Sequence, residues 1–157
     1  MKILVATDGS DFSKAAIDNL ANIIAKPENT RLKIISAVER PTPIAAEPFA
    51  VSAEYYNDVE QSLLKQAKRC VEQAETQVRL LFPGGLLDVT AEVLDGSPPR
   101  VIVETAEDWK ADLIVIGSHG YGFWSRVMLG SVSNSVVHHA PCSVLVVRTA
   151  AAEKPGK

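Results

Sequence analysis

The chain has 157 residues, 46% hydrophobic and 22% charged, with a net charge of -3. This is one domain's length with enough apolar side chain for a full core, which excludes a disordered chain. No basic run or basic helix face stands out and the apolar runs are far too short to span a bilayer, so neither nucleic acid nor membrane is an expected partner.

Lys2–Ala6 (KILVA) reads as a buried strand, and the N-terminal MKILVATDGS as strand and turn rather than a signal peptide. Thr7–Asp11 (TDGSD) is turn and helix-capping chemistry. Phe12, Ala16, Leu20, Ile23 and Ile24 recur at helical spacing until Pro27 stops the helix. Leu32–Val38 is the second strand, and the proline-rich Arg40–Ala50 a loop. A long helix spans Ala53–Leu81, with Tyr56, Val59, Leu63, Ala67, Cys70, Ala74 and Val78 on its apolar stripe. Leu87–Leu94 alternates as the third strand, and DGSPP leads into a helix ending near Trp109. Ala111–Ile116 is the fourth strand, Ser131–His139 a helix and Cys142–Arg148 the fifth strand, with residues 149–157 read as a disordered tail. Cys70 and Cys142 are far apart in apolar contexts and read as thiols of a reducing cytosol, hence a cytoplasmic protein.

Strands alternating with helices imply an α/β fold, an open five-stranded parallel sheet covered on both faces. Right-handed crossovers cover both faces only if the chain reverses direction once, which favours strand order 3-2-1-4-5. Ligands of such Rossmann-like sheets bind beyond the carboxyl ends of the strands at the switch point. Here that is Thr7-Asp8-Gly9 and Gly117 onward.

The stretch GSHGYGFWSRVMLGS, residues 117–131, suits a phosphate chain. Gly117, Gly120 and Gly122 offer positive φ and close approach of a ligand to main chain. Gly130 and Ser131 open a helix whose free N–H groups and dipole favour an anion, with Ser131 and Ser133 as extra hydroxyl donors. No GxxxxGK[ST] is present, and Ser125 stands where GxGxxG needs its third glycine. The competing reading is a surface loop before a capped helix.

The form G-x2-G-x9-G-[ST], in Gly117, Gly120, Gly130 and Ser131, resembles the universal stress protein family in its ATP-binding branch. ILVATDGS at the start, ADLIVIGSHG in the middle, and Ala140-Pro141-Cys142 before Val144–Val147 fit the same pattern. The resemblance covers Met1 to Arg148, so residues 1–148 are read as one nucleotide-binding domain; Ser143 departs from it where relatives often carry proline. It implies ATP or another adenine nucleotide with its phosphates on Gly117, Ser118, His119, Gly120, Gly130, Ser131, Val132 and Ser133. Ala6, Val38 and Ile116, at three strand ends, are the expected adenine slot, with main chain near Val38 reading the base edge; Thr7 completes the set. Asp8 is the candidate for ribose hydroxyls or for Mg2+ (or Mn2+), against a plain helix cap shared with Ser10 or Asp11. Arg126 is a candidate for the outer phosphates, or else an ordinary solvated arginine.

No catalytic residue is assigned. Ser118-His119 beside Asp8 suggests a triad, but GxSxG is missing and adjacent side chains rarely face each other. His138-His139 is a poor metal pair, and Trp109 and Trp124 read as packing residues. Cys142–Arg148 is an apolar edge strand without internal proline or lysine, the expected contact of a homodimer. Together with the resemblance, these residues imply an ATP-binding stress-response sensor or regulator with slow hydrolysis or none. The alternatives are a dimeric interaction protein with a vacant loop and an ATP or phosphoester hydrolase.

Overall fold

A computed structural model describes residues 1–40, 53–120 and 129–148. The described elements are β1 (Lys2–Ala6), α1 (Asp11–Asp18), α2 (Leu20–Ile23), β2 (Arg31–Val38), α3 (Ala53–Leu81), β3 (Asp88–Asp95), α4 (Pro98–Trp109), β4 (Leu113–Gly117), α5 (Ser131–His139) and β5 (Ser143–Val147). The five strands are parallel in the order β3-β2-β1-β4-β5. The expected α/β sheet and its strand order are therefore observed.

Strand parity divides the core into two layers. Ile3, Val5, Ile34 and Val115 face one side and meet Ile17 and Leu20 near α1, and Val78 of α3. Leu4, Ile35, Ile114 and Ile116 face the other side and meet Val101 and Ile102 of α4 and Val136 of α5. The central strands β1 and β4 are thus apolar on both faces, as a doubly covered parallel sheet requires. Burying each such side chain contributes about 1.5–3 kcal/mol.

One helix was expected to run from Phe12 to Ile24, but the ladder breaks at Asn19. The Asn22 N–H bonds three residues back to the Asn19 carbonyl, and Asn22 Nδ2 donates to Asn19 Oδ1. Asparagine side chains compete with helical bonding in this way, while the apolar spacing continues across the break and hides it. Pro27 then opens a 3-10 turn, Pro27–Asn29, before β2.

The reversal lies between β1 and β4, which pair at Ile3–Leu113, Leu4–Ile114 and Val5–Val115. Beyond their carboxyl ends α1, α4 and α5 all begin, and the space they bound is the site considered next.

Candidate functional site

The chain leaves β1 through a tight hydroxyl-bonded turn. Thr7 N donates to Ile35 O at 2.9 Å, the last tie to β2, and Gly9 takes φ 79° to make the turn. Gly9 N donates to Thr7 Oγ1 at 3.1 Å, and Thr7 Oγ1 donates to Ser13 Oγ at 3.1 Å. Ser10 caps α1 by accepting from Ser13 N at 3.3 Å, so the cap is Ser10 and not Asp8. Asp8 is half-buried; its Oδ1 accepts from Ser10 N at 3.0 Å, and its main-chain oxygen accepts from the Cys70 thiol at 3.3 Å. Burial, then the Asp8 charge, push the Cys70 thiol up from its ordinary value.

The exit from β4 is held as closely. Ser118 N donates to Val147 O at 2.8 Å, and Ser118 O accepts from Gly130 N at 2.8 Å and from Ser133 Oγ at 2.9 Å. The start of α5 is thereby pulled onto the end of β4.

Gly117, Gly120 and Gly130 serve packing, not the positive φ expected of the first two. None of the three is among the positive-φ residues. A Cβ at Gly117 would lie 2.7 Å from the Phe12 carbonyl carbon, and one at Gly120 would lie 2.7 Å from Asp8 Oδ2. At Gly130 the nearest atoms, His119 Cα and Ser118 O, would be 3.3 Å away.

Between these exits lies a cavity of about 340 Å³. Its lining includes an apolar set, Ala6, Ile35, Ala37, Pro98, Ile102 and Ile116. It also includes Asp8, His119 and Gly120 with the α5 start, Gly130 to Ser133; Thr7, Ser13 and Gly117 complete the wall. No lysine or arginine is among these lining residues.

The helix starts differ in what they offer an anion. Ser10 already occupies an N–H of α1. Pro98 and Pro99 give α4 no N–H at its first two positions. The cap of α5 is Gly130, which has no side chain to offer, so no cap side chain takes the N–H groups of the first turn of α5.

Most of the expected site residues meet around this cavity; among the described ones, Val38 and Ser118 do not. Val38 is buried but absent from the lining, and its carbonyl accepts from Gly96 N at 2.9 Å. Ile35 and Ala37, of opposite parity, line the wall instead. Ser118 is 1% exposed and stands behind the wall. Arg126 lies outside the described residues, as do Gly122, Trp124 and Ser125. The Ser133 hydroxyl, expected to face phosphate, donates to Ser118 O and to Gly130 O at 3.0 Å.

His119 Nδ1 lies 3.1 Å from Ser118 Oγ, so these adjacent side chains do meet, contrary to expectation; burial keeps the serine hydroxyl from acting as a nucleophile on a cavity ligand. Sequence reasoning missed Ser13, Ile35, Ala37, Pro98 and Ile102. DGSPP would have pointed to Pro98, whereas the β2 pair follows only from the register of β2 against β1. Among the described residues no three His, Cys, Asp or Glu side chains form a metal cluster, and no helix is long and apolar enough to cross a membrane. Asp8 alone would hold a divalent cation only together with ligand oxygens and water. Cys70 and Cys142 are both free thiols, and burial, then Asp112, also push Cys142 up.

A universal stress protein from Thermus aquaticus is 37% identical over 147 residues, 93% of this chain and 97% of its own. UspA from Lactobacillus plantarum has a structure matching at TM-score 0.76, with 27% identity, 94% of this chain and 97% of that chain covered. A universal stress protein solved in complex with cAMP matches at TM-score 0.67, with 28% identity, 96% of this chain and 98% of that one covered. The model of the universal stress protein family matches residues 1–148, and the chain belongs to that family.

Proposed function

We propose that the chain binds an adenine nucleotide in this cavity, as ATP with Mg2+ (or Mn2+), and acts as a stress-response sensor or regulator with slow hydrolysis or none. One observation carries the reading: a cavity at the switch point is lined both by apolar side chains and by the start of α5, whose cap has no side chain. The two prolines of α4 leave its start unsuited to phosphate, so the base belongs beside Pro98 and Ile102 and the phosphates belong on α5. The related protein in complex with cAMP supports an adenine ligand in this fold.

Main-chain parity supports adenine over guanine. Ile35 accepts from Thr7, so its main chain faces β1, while Val38 accepts from Gly96 on the β3 side. Ala37 shares the parity of Ile35, and β1 pairs with β2 only as far as Ala6–Ile35. The Ala37 N–H and C=O therefore face the space above the end of β1. A carbonyl there accepts from the adenine amino group while the amide donates to a ring nitrogen; guanine offers the reverse pattern. With no lysine or arginine among the described lining residues, phosphate charge falls to amides, a helix dipole and a cation on Asp8. No lysine or arginine among the described lining residues adds to the cation at the leaving group, so turnover is expected below the ordinary ~1–1000 per second.

The reading includes a homodimer through β5. The β3 edge carries Asp88, Glu92 and Asp95, paired with Arg31, Lys33 and Arg40, whereas Ser143–Val147 carries no charge. The uncharged edge is the one that accepts a second copy.

Calorimetry with ATP, ADP, AMP and GTP, with and without Mg2+, tests the site. Adenine nucleotides should bind and GTP should bind about tenfold or more weakly. Mg2+ should strengthen ATP binding in the wild type but not in Asp8→Asn. No heat and no thermal shift at millimolar ATP overturns the reading.

A further inference from the structure

Ser133 borders the cavity at the start of α5, yet it is only 3% exposed and its one hydroxyl proton goes to main-chain carbonyls. Ser118 O receives it at 2.9 Å and Gly130 O at 3.0 Å. Ser118 O also receives Gly130 N at 2.8 Å, and Ser118 N is fixed on Val147 O at 2.8 Å. Two donors from the first turn of α5 thus converge on one buried carbonyl, anchored in turn to β5. Gly130 is drawn so close that a Cβ on it would meet His119 Cα and Ser118 O at 3.3 Å.

We infer that Ser133 is a positioning residue: its hydroxyl clasps the α5 start to Ser118 and so aims the amides of Ser131 and Val132 into the cavity, and it does not itself donate to the ligand. The role of those amides rests on the nucleotide reading above; the clasp does not. A hydroxyl donating to the ligand would have to abandon a buried carbonyl, while the clasp leaves the existing bonds intact and lets phosphate take main-chain N–H groups that no helical carbonyl can reach. The recognised chemistry is a phosphate monoester or polyphosphate. The nucleoside moiety is assigned to the apolar lining and is indifferent to the clasp.

Amide hydrogen exchange by NMR on nucleotide-free protein, followed by calorimetry, tests this. In Ser133→Ala the Gly130 amide should exchange several-fold faster without ligand, since the turn it belongs to has lost a tether. ATP and AMP should bind about 5–10-fold more weakly, the effect of one buried hydrogen bond, while adenosine binding stays unchanged. Ser133→Thr, which keeps the hydroxyl, should restore both. Ser133→Cys, with a weaker donor of similar size, should fall between and serves if the alanine variant does not fold. Unchanged Gly130 exchange in the ligand-free variants overturns the clasp and leaves a direct donor. Equal loss of adenosine and AMP binding overturns it as well, because the defect is then general. If wild-type protein binds no nucleotide, the proposed function fails, while the exchange measurement still decides the clasp.

Discussion

Gly117 of β4 lies against the main chain of Phe12 in α1, so close that a Cβ on the glycine would stand 2.7 Å from the Phe12 carbonyl carbon and 2.9 Å from its oxygen. The first glycine of the motif is thus required by the way α1 crosses the exit of β4. The glycine lets a helix and a strand end meet, and that meeting closes one wall of the cavity.

Gly117→Ala should therefore behave as a folding mutation. Main chain cannot step aside cheaply, and overpacking of this kind costs about 1–3 kcal/mol. In a domain of this size the melting temperature should drop by about 2–12 °C. Gly120→Ala makes the informative contrast. Its Cβ would meet Asp8 Oδ2 at 2.7 Å, the end of a side chain that can rotate away. Melting should scarcely change, while Mg2+-dependent ATP binding weakens as the carboxylate is displaced. Calorimetric melts beside binding isotherms separate the two; a Gly117→Ala protein that melts like wild type would contradict the packing argument.

The raised thiols set a pH limit on stability. Burial first, then the nearby acidic charge of Asp8 or Asp112, hold Cys70 and Cys142 protonated in the fold beyond the ordinary thiol value of 9.0. Unfolded chain loses these protons first, so rising pH drains population from the folded state. Their contribution is whole below pH 9 and is lost as pH climbs through the raised values. Thermal melts from neutral to strongly alkaline pH should show wild type losing ground to Cys70→Ser/Cys142→Ser above pH 9 and running parallel to it below. Parallel curves throughout would remove the thiols from the account.

Strand order was legible because parity and short apolar runs are local, and handedness leaves few arrangements of five parallel strands. The site was legible as a place for the same reason: the switch point follows from topology. What was not legible depends on which way individual groups turn. Val38 and Ala37 are equally apolar, and only the pairing of Ile35 with Ala6 decides which of them faces the cavity. A bare backbone at Gly117 or Gly120 marks where a side chain is intolerable, without telling a left-handed turn from a neighbouring helix or a ligand. Ser133 has a hydroxyl at the right point in the chain, yet its proton is bound by a carbonyl fifteen residues earlier, a partner no spacing rule identifies.

The edge of β5 permits a sharp test of the dimer. Ser118 N donates to Val147 O, and Gly117 pairs with Val147, so Ser143, Leu145 and Val147 turn their main-chain groups toward β4. Val144 and Val146 then turn theirs outward, to the side where a second copy would lie. Proline at an outward position removes an N–H from the open edge without cutting the ladder to β4. Val146→Pro should accordingly keep the far-UV spectrum of the wild type and sediment as a monomer where wild type sediments as a dimer. Leu145→Pro, one residue away, deletes a bond to β4 and should lower melting sharply whatever the assembly state. The parity of the effect is what matters: a general weakening of the strand would make the two substitutions alike. A folded Val146→Pro protein that still sediments as a dimer would move the interface away from β5.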